Sequence, residues 1–228
     1  MIKFFFNNAP NPMKVALCLE EAALDYELVP VDTRKGEQFA PDFVALNPNA
    51  KVPVIVDGDV TVFDSNAILL YLAEKSGHFL GDGTPAARGE LLSWLMFVAS
   101  GVGPFSGQAV HFKHFAPEPK VYALNRYSVE ARRHYGVLND RLARRHWMLG
   151  DDYSIVDMAV WGWARMVPFV LGEPAFAEMP HLKRLIDEIN ERPAVARSAA
   201  RREGFKFKTE TDDEARRFLF PQNASLPG

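Results

Sequence analysis

Cysteine is nearly absent: Cys18 is the only one in 228 residues. No intrachain disulfide can form, which fits a reducing compartment and predicts a cytoplasmic protein. Long apolar runs are missing as well, and nothing approaches the roughly 20 consecutive apolar residues that a bilayer span needs. Residues 1–6 are apolar apart from Lys3 but too few for a signal peptide, and Pro10 and Pro12 follow them. Charge of one sign is not in excess. Lys and Arg number 26 against 29 Asp and Glu, a formal charge of -3. Neither nucleic acid nor an anionic membrane is therefore favoured as a partner. The local pairs Arg132-Arg133 and Arg144-Arg145 read as solvated helix faces. His111 and His114 lie three apart with no Cys or carboxylate cluster beside them, so no metal site is expected. Internal repeats and low-complexity blocks are also lacking.

What is present suits a globular chain: 48% hydrophobic and 24% charged residues, enough to bury a core. The first third alternates strand and helix signals. Residues 2–6, 26–31, 52–56 and 60–63 read as strands, the last two joined across Asp57-Gly58-Asp59 as a hairpin. Residues 14–24, 39–46 and 65–76 read as helices, and 7–12 as a loop punctuated by two prolines and three asparagines. The order β-α-β-α-β-β-α is the thioredoxin-like arrangement, with a right-handed parallel βαβ unit and an antiparallel hairpin. Strand signals then vanish. Residues 88–100, 122–145, 154–170, 181–191 and 194–202 read as helices. The expected fold class is thus α/β plus all-α: a thioredoxin-like domain over 1–80, an all-helical domain over 86–205, and a tail over 206–228 that docks on the surface or stays loose. Gly81-Asp82-Gly83-Thr84-Pro85 is the linker candidate.

Two segments point to a peptide-like ligand. Val52-Pro53 precedes the third strand, where a cis-proline is expected in this fold. Such a bond leaves the backbone groups of Val52 free to pair with an extended peptide. Asp64-Ser65-Asn66-Ala67-Ile68 opens a helix, with Ser65 expected as its N-cap. Free N–H groups behind it could receive a carboxylate, and Asp64 could meet an ammonium group. In the second domain, Ser154 and Asp157 have the spacing of a capping box.

The run Lys51-Val52-Pro53-Val54-Ile55 with Asp64-Ser65-Asn66-Ala67-Ile68-Leu69-Leu70-Tyr71-Leu72 resembles the glutathione-binding motif of cytosolic glutathione transferases. Asp64 stands where that family usually has Glu. Gly103-Pro104, Gly107-Gln108, His111-Phe112 and Arg126-Tyr127-Ser128-Val129-Glu130 are similar to the bacterial nu class, over roughly the first 200 residues. The resemblance implies glutathione as cosubstrate, a homodimer, and glutathione-dependent disulfide reduction. Conjugation of small electrophiles and non-catalytic glutathione binding are the alternatives.

By the same resemblance, Gln38 and Lys51 touch the glutathione backbone, Arg126 helps to bind glutathione near the dimer interface, and Asn11, Val52, Pro53, Asp64 and Ser65 complete the glutathione site. Gln38 and Lys51 also read as ordinary surface polarity, and Arg126 as an i,i+4 ion pair with Glu130. Nu-class members typically carry Thr where Ala9 stands, so that hydroxyl is lost here. Asn11 is then the candidate catalytic residue, its amide and the N–H groups of the first helix stabilising the thiolate of bound glutathione. Lowering a thiol pKa by about two units needs roughly 2.7 kcal/mol. A turn role between two prolines is the other reading of Asn11. Cys18, among Val15, Leu17 and Leu19, is expected to be a buried, inert thiol. Trp94, Phe105, Phe112 and Tyr127 are candidates for an apolar wall or for core.

Overall fold

The computed structural model describes residues 1–221 and 223. Strands β1 (Ile2–Phe6), β2 (Tyr26–Pro30), β3 (Val54–Asp57) and β4 (Val60–Phe63) form one sheet in the order β2-β1-β3-β4. β1 pairs with β2 in parallel, while β1–β3 and β3–β4 are antiparallel. Helices α1 (Pro10–Glu21), α2 (Pro41–Leu46) and α3 (Ser65–Ser76) connect and cover these strands. All later described elements are helical: α4 (Pro85–Phe97), α5 (Gly103–Val110), α6 (Val121–Leu142), α7 (Ile155–Ala164), α8 (Val167–Leu171), α9 (Pro180–Asn190), α10 (Pro193–Arg202) and α11 (Asp213–Leu219). The architecture is a small N-terminal sheet domain beside a helical domain.

Several expectations from the sequence need correction. The predicted loop 7–12 is helical from Pro10 onward. Proline lacks an N–H that the first turn could not pair anyway, and its fixed φ suits that turn, so Pro10 opens the helix rather than preventing it. The helix expected over 88–100 runs from Pro85 through α4 and α5 to Phe115, with π-helical turns at Val98–Val102 and His111–Phe115. Gly103-Pro104 is absorbed there, because the extra residue of a π turn relieves the hydrogen bond that proline cannot make. The helix expected over 154–170 breaks at Arg165-Met166, just before Pro168.

The tail is docked where it is described. Phe205 and Phe207 meet the ring of Phe6 edge-on, at 5.3 and 5.6 Å. The Lys208 N–H donates to Asp32 at 2.7 Å. α11 then lies between two parts of the molecule. Phe218 packs on Gly36, where a Cβ would meet its ring at 2.5 Å, and Phe220 stands against His111 at 4.5 Å. Gln222 and residues 224–228, also part of the expected tail, lie outside the described residues.

Helix α1 joins the two domains. It is buried from Pro12 to Glu20 and touches the sheet domain's α3 on one side and α7 and α10 on the other. Its C-terminal end is held by charge. The Glu20 carboxylate accepts from Tyr26 at 2.7 Å, Arg197 at 2.9 Å and Arg201 at 2.8 Å, and Glu21 pairs with Arg192. Its N-terminal end is held by close packing. A Cβ at Gly162 of α7 would lie 2.9 Å from the Pro10 carbonyl oxygen and 2.4 Å from Lys14 Cγ. Gly162→Ala is expected to force α7 away from α1 and lower stability by about 1–3 kcal/mol, measured by chemical or thermal unfolding.

Candidate functional site

The first turn of α1 has few free donors. Ala9 is the N-cap and offers no side-chain cap, while Pro10 and Pro12 have no N–H. The Met13 N–H already bonds to the Ala9 carbonyl at 3.4 Å. Asn11 alone among the first three helical residues keeps a backbone N–H, so the helix terminus contributes less than its dipole suggested. The loop before it is fixed by Asn7, which accepts from the Ala9 N–H at 2.9 Å and donates to Thr33 at 3.2 Å. Half-buried Asn11 accepts from the indole N–H of Trp163 at 3.0 Å through Oδ1. Its Nδ2 has no partner among the described residues and remains a donor.

The Val52-Pro53 peptide bond is cis. Val52 is half-buried and precedes the β3 ladder, and Pro53 is buried. At the start of α3 the expected capping is shifted by one residue. Asp64, with φ 71°, is the N-cap, and its Oδ1 accepts from the Asn66 N–H at 2.8 Å and the Ala67 N–H at 3.2 Å. Two of the N–H groups expected to receive a ligand carboxylate are therefore taken. The Ser65 N–H and the second carboxylate oxygen of exposed Asp64 are what remain. Ser65 itself is buried, and its hydroxyl accepts from Lys14 Nζ at 3.3 Å.

Sequence reading passed over Lys14. Burial pulls its ammonium down to about 7, only partly opposed by nearby Asp64. Its signal was a lysine inside the apolar face of α1, which side-chain snorkelling normally explains away. Gln38, read from the sequence as a glutathione contact or as surface polarity, is buried. Its Nε2 donates to the Thr33 carbonyl at 3.2 Å and the Phe218 carbonyl at 3.1 Å, leaving Oε1 buried without a partner. Lys51 is exposed. Arg126 is exposed on α6 and pairs with Glu130 at 3.2 Å, so within one chain the ion-pair reading holds and the structure does not bring Arg126 to the α1 terminus by any contact. The rings of Phe112, Tyr127, Phe105 and His134 follow one another in a row at 5.4, 6.2 and 5.0 Å, the first and last pairs stacked and the middle one tilted, and Phe97 links them to Trp94. His114 stacks on Phe169 at 4.1 Å. Among the described residues no three His, Cys, Asp or Glu side chains are grouped as metal ligands. None of the described helices is long and apolar enough to cross a membrane.

Cys18 is fully buried, and burial pushes its thiol up to about 12. A thiol so held is protonated at neutral pH and cannot act as nucleophile. An open depression of about 360 Å³ along α9 shares no residue with this region, and its Lys183–Asp187 and Arg184–Glu188 pairs already satisfy one another.

The cis-proline before β3, the capped start of α3 and the α1 terminus define a glutathione transferase, and the chain belongs to that family. The family model "Glutathione S-transferase, N-terminal domain" matches residues 1–74, and "Glutathione S-transferase, C-terminal domain" matches 105–193. Disulfide-bond oxidoreductase YfcG of Escherichia coli (strain K12) is 43% identical over 205 residues, covering 87% of this chain and 94% of that protein. A glutathione transferase family member from Pseudomonas fluorescens with two glutathione bound has a TM-score of 0.82 at 38% identity, over 86% of this chain and 91% of that one. A Pseudomonas putida glutathione transferase with one glutathione disulfide bound per subunit has a TM-score of 0.80 at 36% identity, over 86% and 90%.

Two outcomes follow from the buried groups. A native Lys14 that loses its proton near pH 7, against 10.5 when unfolded, leaves the unfolded chain with one more proton between those values. Its contribution to stability therefore rises with pH from about 7 to about 10.5 and is flat below. Lys14→Met should remove that slope in unfolding curves taken across this range. Cys18→Ala should lose about 1 kcal/mol of stability while keeping full catalytic activity, and the native thiol should resist thiol reagents until the chain unfolds.

Proposed function

We propose that the chain reduces disulfides with glutathione, and that the thiolate of bound glutathione is the nucleophile. The observation that carries this is the unpartnered Nδ2 of Asn11 at the start of α1, beside an Ala9 that has no hydroxyl. The buried thiol of Cys18 leaves no protein sulfur to do the work. In the reaction the glutathione thiolate attacks one sulfur of the substrate disulfide, forming a mixed disulfide and expelling a thiolate. A second glutathione thiolate then attacks the glutathione sulfur of that mixed disulfide. Glutathione disulfide forms, the second substrate thiolate leaves, and both take up protons. Two glutathione molecules supply the two electrons. The names of YfcG and the bound ligands of the two Pseudomonas proteins support this reading. Conjugation of small electrophiles would use the same thiolate.

In this reading Val52, beside cis Pro53, pairs with the glutathione backbone, and Gln38 and Lys51 flank it. The free oxygen of Asp64 meets the ammonium group, and the Ser65 N–H meets the glutamyl carboxylate. Arg126 would join across a homodimer. Exposed Val60 and Phe63 on the edge strand β4, with Met96 and Val129, support a second copy as partner. The domains divide as 1–80 and 86–205 with a tail from 206, and the single buried cysteine supports a cytoplasmic location.

The test is Asn11→Ala, assayed for disulfide reduction and for thiolate absorbance of bound glutathione against pH. A loss of about 10- to 100-fold in kcat/KM, with the bound thiol pKa rising by about one to two units, is expected. Full activity with an unchanged absorbance profile would overturn the proposal.

A further inference from the structure

An asparagine side chain is nearly symmetric in shape, yet one end donates and the other accepts. Turned with its oxygen toward a thiolate, Asn11 would repel the charge it is proposed to hold. Something must therefore choose the orientation. The indole N–H of Trp163 is a donor with no capacity to accept, so the atom it meets at 3.0 Å is the amide oxygen. The NH2 group is thereby directed away from α7.

The indole is itself confined. On α5, a Cβ at Gly103 would lie 3.2 Å from Trp163 Nε1, and one at Gly107 would lie 3.8 Å from its Cη2. The absent side chain of Gly103 leaves room for the nitrogen edge of the ring, while a Cβ at Gly107 would make only an ordinary contact with its far corner. The Trp163 carbonyl accepts from the Tyr135 hydroxyl at 3.3 Å, and that hydroxyl accepts from Ser106 at 2.8 Å. Next to it, Gly162 lets α7 sit directly against the Pro10 carbonyl, one residue before Asn11.

We infer that Trp163 is a positioning residue for the sulfur site: its indole N–H, presented by the helical domain, holds Asn11 with the amide donor facing the glutathione thiolate. The inference rests on the proposed role of Asn11. It adds that the two domains must be docked for the thiolate to be stabilised, since the donor's orientation comes from a residue 152 positions away.

Trp163→Phe keeps an aromatic ring in the slot and deletes the N–H. The full-length variants Trp163→Phe, Asn11→Ala and the double variant are compared by kcat, KM for glutathione, and pH titration of the bound thiolate's absorbance. Trp163→Phe is expected to lower kcat about 5- to 10-fold and raise the bound thiol pKa, with KM for glutathione changed less than twofold. The double variant should be no worse than Asn11→Ala, because the two residues act as one unit. Trp163→His, which retains an N–H, should recover part of the loss. A merely structural tryptophan would give effects that multiply in the double variant, with an unshifted thiol pKa, and that result overturns the inference. So does a Trp163→Phe enzyme indistinguishable from wild type while Asn11→Ala is impaired. If Asn11→Ala is itself unimpaired, the proposed role of Asn11 fails first. Should Trp163→Phe not fold, the hydrogen-exchange protection of the Trp163 indole N–H decides. Its loss in Asn11→Ala supports the contact, and its persistence overturns it.

Discussion

The contact between α1 and α7 is the constraint on which the rest depends. It is made possible by a missing side chain. Gly162 allows the backbone of α7 to approach Pro10 and the stem of Lys14 more closely than any Cβ would permit. The approach brings the indole of Trp163 to Asn11 and closes the buried space in which the Lys14 ammonium meets Ser65. Sheet domain and helical domain are thus coupled at the residues proposed to hold glutathione, and not only by the Glu20 and Glu21 ion pairs at the far end of the same helix.

Two buried charges show how the chain offsets desolvation. Asp157, fully buried in α7, accepts from the N–H groups of Met148 and Ser154 and from the Ser154 hydroxyl at 2.7 to 2.9 Å. Burial still pushes its carboxyl up to about 6. Lys14 has one hydroxyl where Asp157 has three donors, and its ammonium is correspondingly harder to keep charged. The contrast follows from desolvation: a buried ion is tolerated in proportion to the hydrogen bonds it receives.

Much of this was legible in the sequence because it is local. Strand β1, the Asp57-Gly58 hairpin, helix α3 and the Ser154–Asp157 box are specified by residues within a few positions of one another, and all are found. Boundaries set by a single dihedral were harder. Whether Asp64 or Ser65 caps α3 turns on the positive φ of Asp64, which no pattern reveals. Pro10 and Pro12 carry the same letters in a loop and in a first helical turn. The π turns that carry one helix past Gly103-Pro104, the docking of Phe218 on Gly36, and the Trp163–Asn11 bond all depend on partners distant in the chain. Asn11 could be singled out from its neighbours; what orients it could not.

The central claim is that the amide donor of Asn11, oriented from the helical domain, faces the glutathione sulfur. A crystal structure of the chain with glutathione tests it most directly. The account predicts the sulfur within hydrogen-bond distance of Asn11 Nδ2, with Oδ1 still bonded to the Trp163 indole. A sulfur facing another group, or an Asn11 side chain turned away from Trp163 in the complex, would contradict it.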